Sequence, residues 1–140
     1  MVSMTSWKRM KKLFKIAMRK IGNPPIKLVT PTMWDKLFPE FKLGDCYGRC
    51  SIEHRIIVCR YVDVHSSFQI TDTILHEAMH ILFRYKPHWW IECAAMKVNG
   101  VYIRGFFTSK YHRVLSDVSN RKRLLYLIRC TSERMRQLEQ

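Results

Sequence analysis

The stretch that most constrains this 140-residue chain is His76-Glu77-Ala78-Met79-His80. Ile74, Leu75, Ala78, Met79, Ile81 and Leu82 around it are apolar, and no Pro or Gly interrupts residues 70–86. The pattern predicts a buried helix over about residues 71–85, broken after it by Lys86-Pro87. A buried helix carrying His, Glu and His must satisfy those groups with hydrogen bonds or a metal, because unpaired polar groups are costly to bury. Positions i and i+4 share one helix face, so both imidazoles can reach a single Zn²⁺. Glu77 can then reach a water beside the metal without being a ligand, the geometry of a general base. With six His and six Glu in the chain, random placement would give on the order of 0.01 matches to H-E-x-x-H. The competing reading is a pair of core histidines satisfied by hydrogen bonds.

A catalytic zinc site needs a third protein ligand. Two candidates stand downstream, His88 and Glu92, four residues apart and therefore on one helix face. His88 follows Pro87 directly, at a helix start where the chain can fold back on the metal, which favours it. Glu92 remains the alternative ligand, or a group that orients a ligand or lines the cleft. Trp89 and Trp90 are expected in the core or cleft wall, and His54, His65 and His112 in surface or structural places.

The rest of the chain reads as one domain of 140 residues, enough to bury a core at 47% hydrophobic content. Residues 6–21 form a basic amphipathic helix. Trp7, Met10, Leu13, Phe14, Ala17 and Ile21 recur at helical spacing, and Lys8, Lys11, Lys12, Lys15, Arg19 and Lys20 fill the remainder. Gly22-Asn23-Pro24-Pro25 ends it. A short strand is expected at 26–30 and a short helix or turn at 32–38. A loop follows at 44–48, then β-like stretches at 47–53 and 55–62. The second of these precedes the metal helix directly. In zinc peptidases an edge strand in that place commonly holds the substrate chain by backbone pairing; otherwise it is an ordinary sheet strand. A second helix is expected over 88–98, ending at Asn99-Gly100, then a strand or loop at 101–107. A C-terminal helix over about 116–138 carries Arg121-Lys122-Arg123, Arg129, Arg134 and Arg136.

The net charge of +14 suggests a polyanionic partner, nucleic acid before an anionic membrane surface; the plain alternative is a solvated basic face. The five cysteines (Cys46, Cys50, Cys59, Cys93, Cys130) are odd in number and lack a C-x-x-C pair, so no disulfide framework is expected and a reducing cytoplasm is. Cys46 and Cys50 have a spacing a zinc pair could use, but structural thiols are the better reading. Neither a signal peptide nor a membrane span is expected.

Taken in order, several elements resemble the SprT-like (Spartan-like) zinc metallopeptidase family. Tyr47-Gly48-Arg49-Cys50 and the strand after it are similar to that family's G-x-C turn and strand. Ile74-Leu75-His76-Glu77-Ala78-Met79-His80 is similar to its L-x-H-E-x-x-H helix. His88, followed eleven residues later by Asn99 at a helix end, is similar to its third His and helix-end Asn. The resemblance spans residues 33–99 as motif order. Three departures stand beside it: Trp89 replaces the family's usual Gly after the third His, the interval from His80 to His88 is shorter than in many members, and no cysteine pairs follow that could form a C-terminal zinc ribbon. The match is thus to a minimal form, of a kind expected in a bacterium or a phage-infected cell. Glu92-Cys93-Ala94-Ala95 also resembles the E-x-x-A helix of ImmA/IrrE-like peptidases, with Glu92 as ligand.

The SprT-like resemblance implies an α+β, zincin-like domain. A small antiparallel or mixed sheet would pack on the H-E-x-x-H helix, with the metal core over about 33–107 and basic helices at both ends. It implies Zn²⁺ held by His76, His80 and His88, Glu77 as general base, and hydrolysis of proteins associated with DNA. Tyr102, Tyr111 and His112 are candidate oxyanion donors. Two other functions stay open: a nucleic-acid-binding protein whose zinc site serves stability without hydrolysis, and a metal-free helical interaction protein.

Overall fold

A computed structural model describes residues 4–61, 65–100 and 120–139. They form an α+β structure of five helices and a three-stranded mixed sheet. The expected stretch 101–107, the start of the C-terminal helix before 120, and Tyr102, Tyr111 and His112 lie outside the described residues.

Helix α1 (Met4–Lys20) buries Met10, Leu13, Ala17 and Met18 on one stripe, with Ile21 buried just beyond its end. Lys8, Lys11, Lys12, Lys15 and Arg19 are exposed. This separation of faces is what the sequence spacing demands. Gly22 and Asn23 both adopt positive φ (83° and 52°), which turns the chain sharply into strand β1 (Lys27–Val29). Helix α2 (Pro31–Leu37) starts on Thr30, whose side chain accepts from the Met33 amide at 3.1 Å, with Pro31 in the first turn where its missing N–H costs nothing. Trp34 is buried and donates from Nε1 to the Phe41 carbonyl at 2.8 Å, while Asp35 accepts from the Leu43 amide at 3.0 Å. These two bonds hold α2 and the loop after it as one wall.

Strands β2 (Gly48–Ser51) and β3 (Ile56–Cys59) form an antiparallel hairpin. Strand β1 pairs parallel to β3, so the order is β1-β3-β2. This corrects the expectation for residues 55–62. That stretch is the central strand, hydrogen-bonded on both sides, and the edge strand beside the metal helix is β2. Pairing order is a tertiary property: Ile57 and Val58 are fully buried because β3 is covered on both faces, and its run of apolar residues reflects that position.

Helix α3 (Ser67–Leu82) carries the H-E-x-x-H stretch and begins four residues before the expected start. Ser66 supplies a complete capping box with Gln69: its hydroxyl accepts from the Gln69 amide, and the Gln69 side chain accepts from the Ser66 amide. Ile70, Ile74, Leu75, Ala78 and Met79 are essentially fully buried, and α3 packs on α1, β2, β3 and the helix that follows. Helix α4 (His88–Val98) is entered through Pro87 and ends on Asn99, whose side-chain amide donates to the Phe68 carbonyl at 3.1 Å. The end of α4 is thereby tied to the start of α3.

Helix α5 (Arg121–Leu138) closes the other side and starts on Asn120, whose side chain accepts from the Arg123 amide. Ser132 donates to the Ile21 carbonyl at 2.6 Å, and Arg136 donates to the Gly22 and Asn23 carbonyls. Arg121 donates to the Lys97 and Val98 carbonyls. Two of the expected basic-face residues thus donate to carbonyls at the end of α4 and in the turn just after α1, where a cation complements the helix dipole. Lys122, Arg123, Arg129 and Arg134 remain exposed. All five cysteines are free thiols, and no described helix is long and apolar enough to cross a membrane.

Candidate metal centre

One turn of α3 separates His76 from His80 and places them on one face, and the tight connection to α4 brings a third imidazole over them. Phe83 ends α3 with its amide bonded to the Met79 carbonyl. The chain then turns through Lys86 and Pro87, braced by the Phe83 and Trp90 rings at 5.2 Å and by the Lys86 ammonium over Trp90 at 5.1 Å. His88 emerges at the first position of α4, its ring centroid 4.7 Å from that of His76 and 5.4 Å from that of His80. One ring nitrogen from each of His76, His80 and His88 lies within 4.8 Å of the others, so the trio could hold a metal ion.

The donor set fits such an ion. His76 Nε2 and His80 Nε2 face each other at 3.1 Å. Tetrahedral coordination with metal–nitrogen bonds near 2.0–2.1 Å would separate them by about 3.3 Å. Burial, then His80 and His88, push the His76 pKa down to about 4, and burial followed by His88 lowers that of His80. Both imidazoles are therefore held neutral, the form that offers a lone pair to a metal.

Glu92 does not belong to this group among the described residues. It lies near Asp72, one turn before His76. Burial first, then the Glu92 charge, push Asp72 up to about 6, and the Asp72 Oδ1 atom is buried without a hydrogen-bond partner. The spacing of Asp72 to His76, four residues on one helix face, is visible in the sequence, but spacing alone does not show that the carboxyl is buried. Trp90 is in the core and Trp89 packs partly buried against it. His54 sits in the hairpin turn, with Nδ1 2.9 Å from the Ser51 hydroxyl and its ring 5.6 Å from that of Phe38, and the His65 ring lies 5.1 Å from that of Tyr47.

Glu77 is only 9% exposed. Burial pushes its pKa up to about 7, against the opposing pull of the Arg49 guanidinium. Its carboxyl is thus poised near neutrality, where a group can both take and return a proton. Burial, and secondarily Glu77 itself, push the Cys50 and Cys59 thiols up to about 12, so neither is a ready thiolate ligand.

The centre opens into a cavity of about 930 Å³ bounded by α3, the edge strand β2 and the α2 wall with Trp34, Phe38 and Phe41. Gly48 allows the close approach of β2 to α3. A Cβ there would lie 2.9 Å from Thr73 Cγ2, 3.1 Å from Glu77 Cγ and 3.2 Å from the Val58 carbonyl oxygen. Gly48→Val should therefore cost about 1–3 kcal/mol, the usual range for overpacking, and it should displace Glu77. Denaturant unfolding checks the first effect; a Gly48→Val protein as stable as wild type would contradict this packing.

The aromatic wall and Arg49 escaped the sequence reading, because nothing in residues 34–49 signals that they converge on His76. No family model, no curated protein and no solved structure matches the chain.

Proposed function

We propose that the protein is a zinc-dependent endopeptidase of the SprT-like, zincin type that acts on proteins associated with nucleic acid. The observation that carries this reading is the three-histidine group at the mouth of a cavity, with the buried carboxyl of Glu77 beside it. Zinc bound there would supply a Lewis acid that polarises the scissile carbonyl and acidifies water. Glu77 takes the proton of the attacking water and passes it to the leaving amine. The substrate chain pairs in extended form with the outer edge of β2, which among the described residues is bonded on one side only. His76, His80 and His88 orient the ion, and the buried α3 backbone fixes two of them.

The charge of α1 supports the nucleic-acid part. Lys8, Lys11, Lys12, Lys15 and Arg19 are exposed, and no acidic residue pairs with them among the described residues. A phosphate backbone would release counterions on meeting such a row. Replacing Lys11, Lys12 and Lys15 by Gln should weaken duplex DNA binding and reduce the magnitude of the log K against log salt slope by about 2–3. A titration at several salt concentrations measures it, and an unchanged slope would place any DNA contact elsewhere. Proteolysis itself is tested by incubating the zinc-loaded chain with a DNA-binding protein, with and without DNA. Salt-sensitive DNA binding without cleavage would instead favour the non-hydrolytic reading.

A further inference from the structure

We infer that Arg49 is a specificity-determining residue that receives a carboxylate of the bound chain. For the carboxylate's belonging to a peptide, this rests on the peptidase reading above.

Arg49 lies in the middle of the edge strand β2, paired in register with Val58, and lines the cavity. Side chains alternate along a strand. Gly48 and Cys50 face α3: a Cβ on Gly48 would meet Thr73 and Glu77, and Cys50 packs against the core that α3 shares. Arg49 therefore projects to the other face, that of its partner Val58, whose side chain packs with Trp34. On that side the cavity wall is aromatic.

Among the described residues the guanidinium has no hydrogen-bond or ion-pair partner there. Its Nε is buried without a hydrogen-bond acceptor, and none of the ion pairs or hydrogen bonds among the described residues uses its side chain. It acts on Glu77 through its charge alone. The other arginines placed against the fold differ: Arg9, Arg55, Arg121 and Arg136 each donate to a hydroxyl, a carboxylate or a carbonyl. Leaving a buried donor unpaired is costly, and an incoming acceptor would relieve that cost. A guanidinium is a planar fork of donors that matches a carboxylate in two parallel bonds.

Strand addition supplies the geometry. A chain paired to the outer edge of β2 places one residue directly across from Arg49, with its side chain on the same face. An Asp or Glu at that position, or a chain end stopping there, would bring its carboxylate against the guanidinium. Both sources share one chemistry, and the experiment separates them.

The test uses the full-length, zinc-loaded Glu77→Gln protein and pairs of neutral decapeptides in which a single Glu or Gln is walked along the sequence, each with a free and an amidated C-terminus. Fluorescence anisotropy at near-physiological salt measures binding. At one position the Glu peptide should bind about ten-fold or more tightly than its Gln twin. Arg49→Met should bring that ratio close to one, Arg49→Lys should retain part of it, and Arg49→Glu should turn the preference toward the Gln twin. A merely structural role would change affinity for both twins together and leave the ratio alone.

A preference that survives amidation assigns the site to an acidic side chain; one that disappears on amidation assigns it to a chain end. Equal binding of all twins, no binding of any peptide, or a preference that persists in Arg49→Met would overturn the inference. Preferential binding by the Glu77→Gln protein, joined to an absence of peptide cleavage by the wild-type protein, would sink the peptidase reading and leave the carboxylate site standing.

Discussion

Replacing Glu77 by Gln is expected to leave metal binding intact and to reduce peptide-bond cleavage by a factor of 10²–10⁴, the usual contribution of a positioned acid–base group. The expectation follows from the position of the side chain. Glu77 is buried beside the histidine group but is not one of its members, so the amide removes a proton acceptor and leaves the ion's ligands in place. Gln preserves the volume against Gly48, where space is tightest. The measurement is a single-turnover cleavage assay alongside metal content by elemental analysis. Full activity in Glu77→Gln would remove Glu77 from the chemistry, and loss of the metal would make it part of the binding site.

Withdrawing the metal should also have a large effect, on stability. An ion that binds only the folded chain adds RT ln(1 + [L]/Kd), about 4 kcal/mol when its free concentration is a thousand times Kd. For a domain of this size that corresponds to roughly 10–15 °C in Tm. The effect should be large here because the three histidines come from two helices joined by a short turn, so an ion held by all three would clamp α4 onto α3. In the chelated protein His76 and His80 would keep only their mutual contact, Nε2 to Nε2 at 3.1 Å. A thermal melt with and without chelator measures it. Equal midpoints would mean that no ion is held with useful affinity.

The parts of the fold that could be read from the sequence are those set by local spacing. The stripe of Met10, Leu13 and Ala17 defined α1, and the apolar flanks of His76 and His80 defined α3. Pro87 marked the turn that places His88, because proline cannot continue a helix from within. What the sequence did not disclose depends on long-range pairing. The stretch 55–62 has the composition of any buried strand, and only its pairing with both β1 and β2 makes it central. Arg121 and Arg136 belonged to a run of basic residues, yet they donate to carbonyls at or just after helix ends far away in sequence. Arg49 gave no sign of its place in the cavity, because a guanidinium becomes unusual only when its surroundings offer it no partner. Asp72 is the intermediate case: spacing alone puts it on the face of His76, but the burial of its Oδ1 and its nearness to Glu92 depend on how α4 packs on α3.

The central claim is that one metal ion is held by His76, His80 and His88. Metal content of the purified chain, compared with His88→Ala and Glu92→Ala under identical loading, tests it most directly. The account predicts about one equivalent of zinc in the wild type and in Glu92→Ala, and loss of tight binding in His88→Ala. A wild-type chain that takes up no metal, or a His88→Ala protein that keeps its ion while Glu92→Ala loses it, would contradict the account.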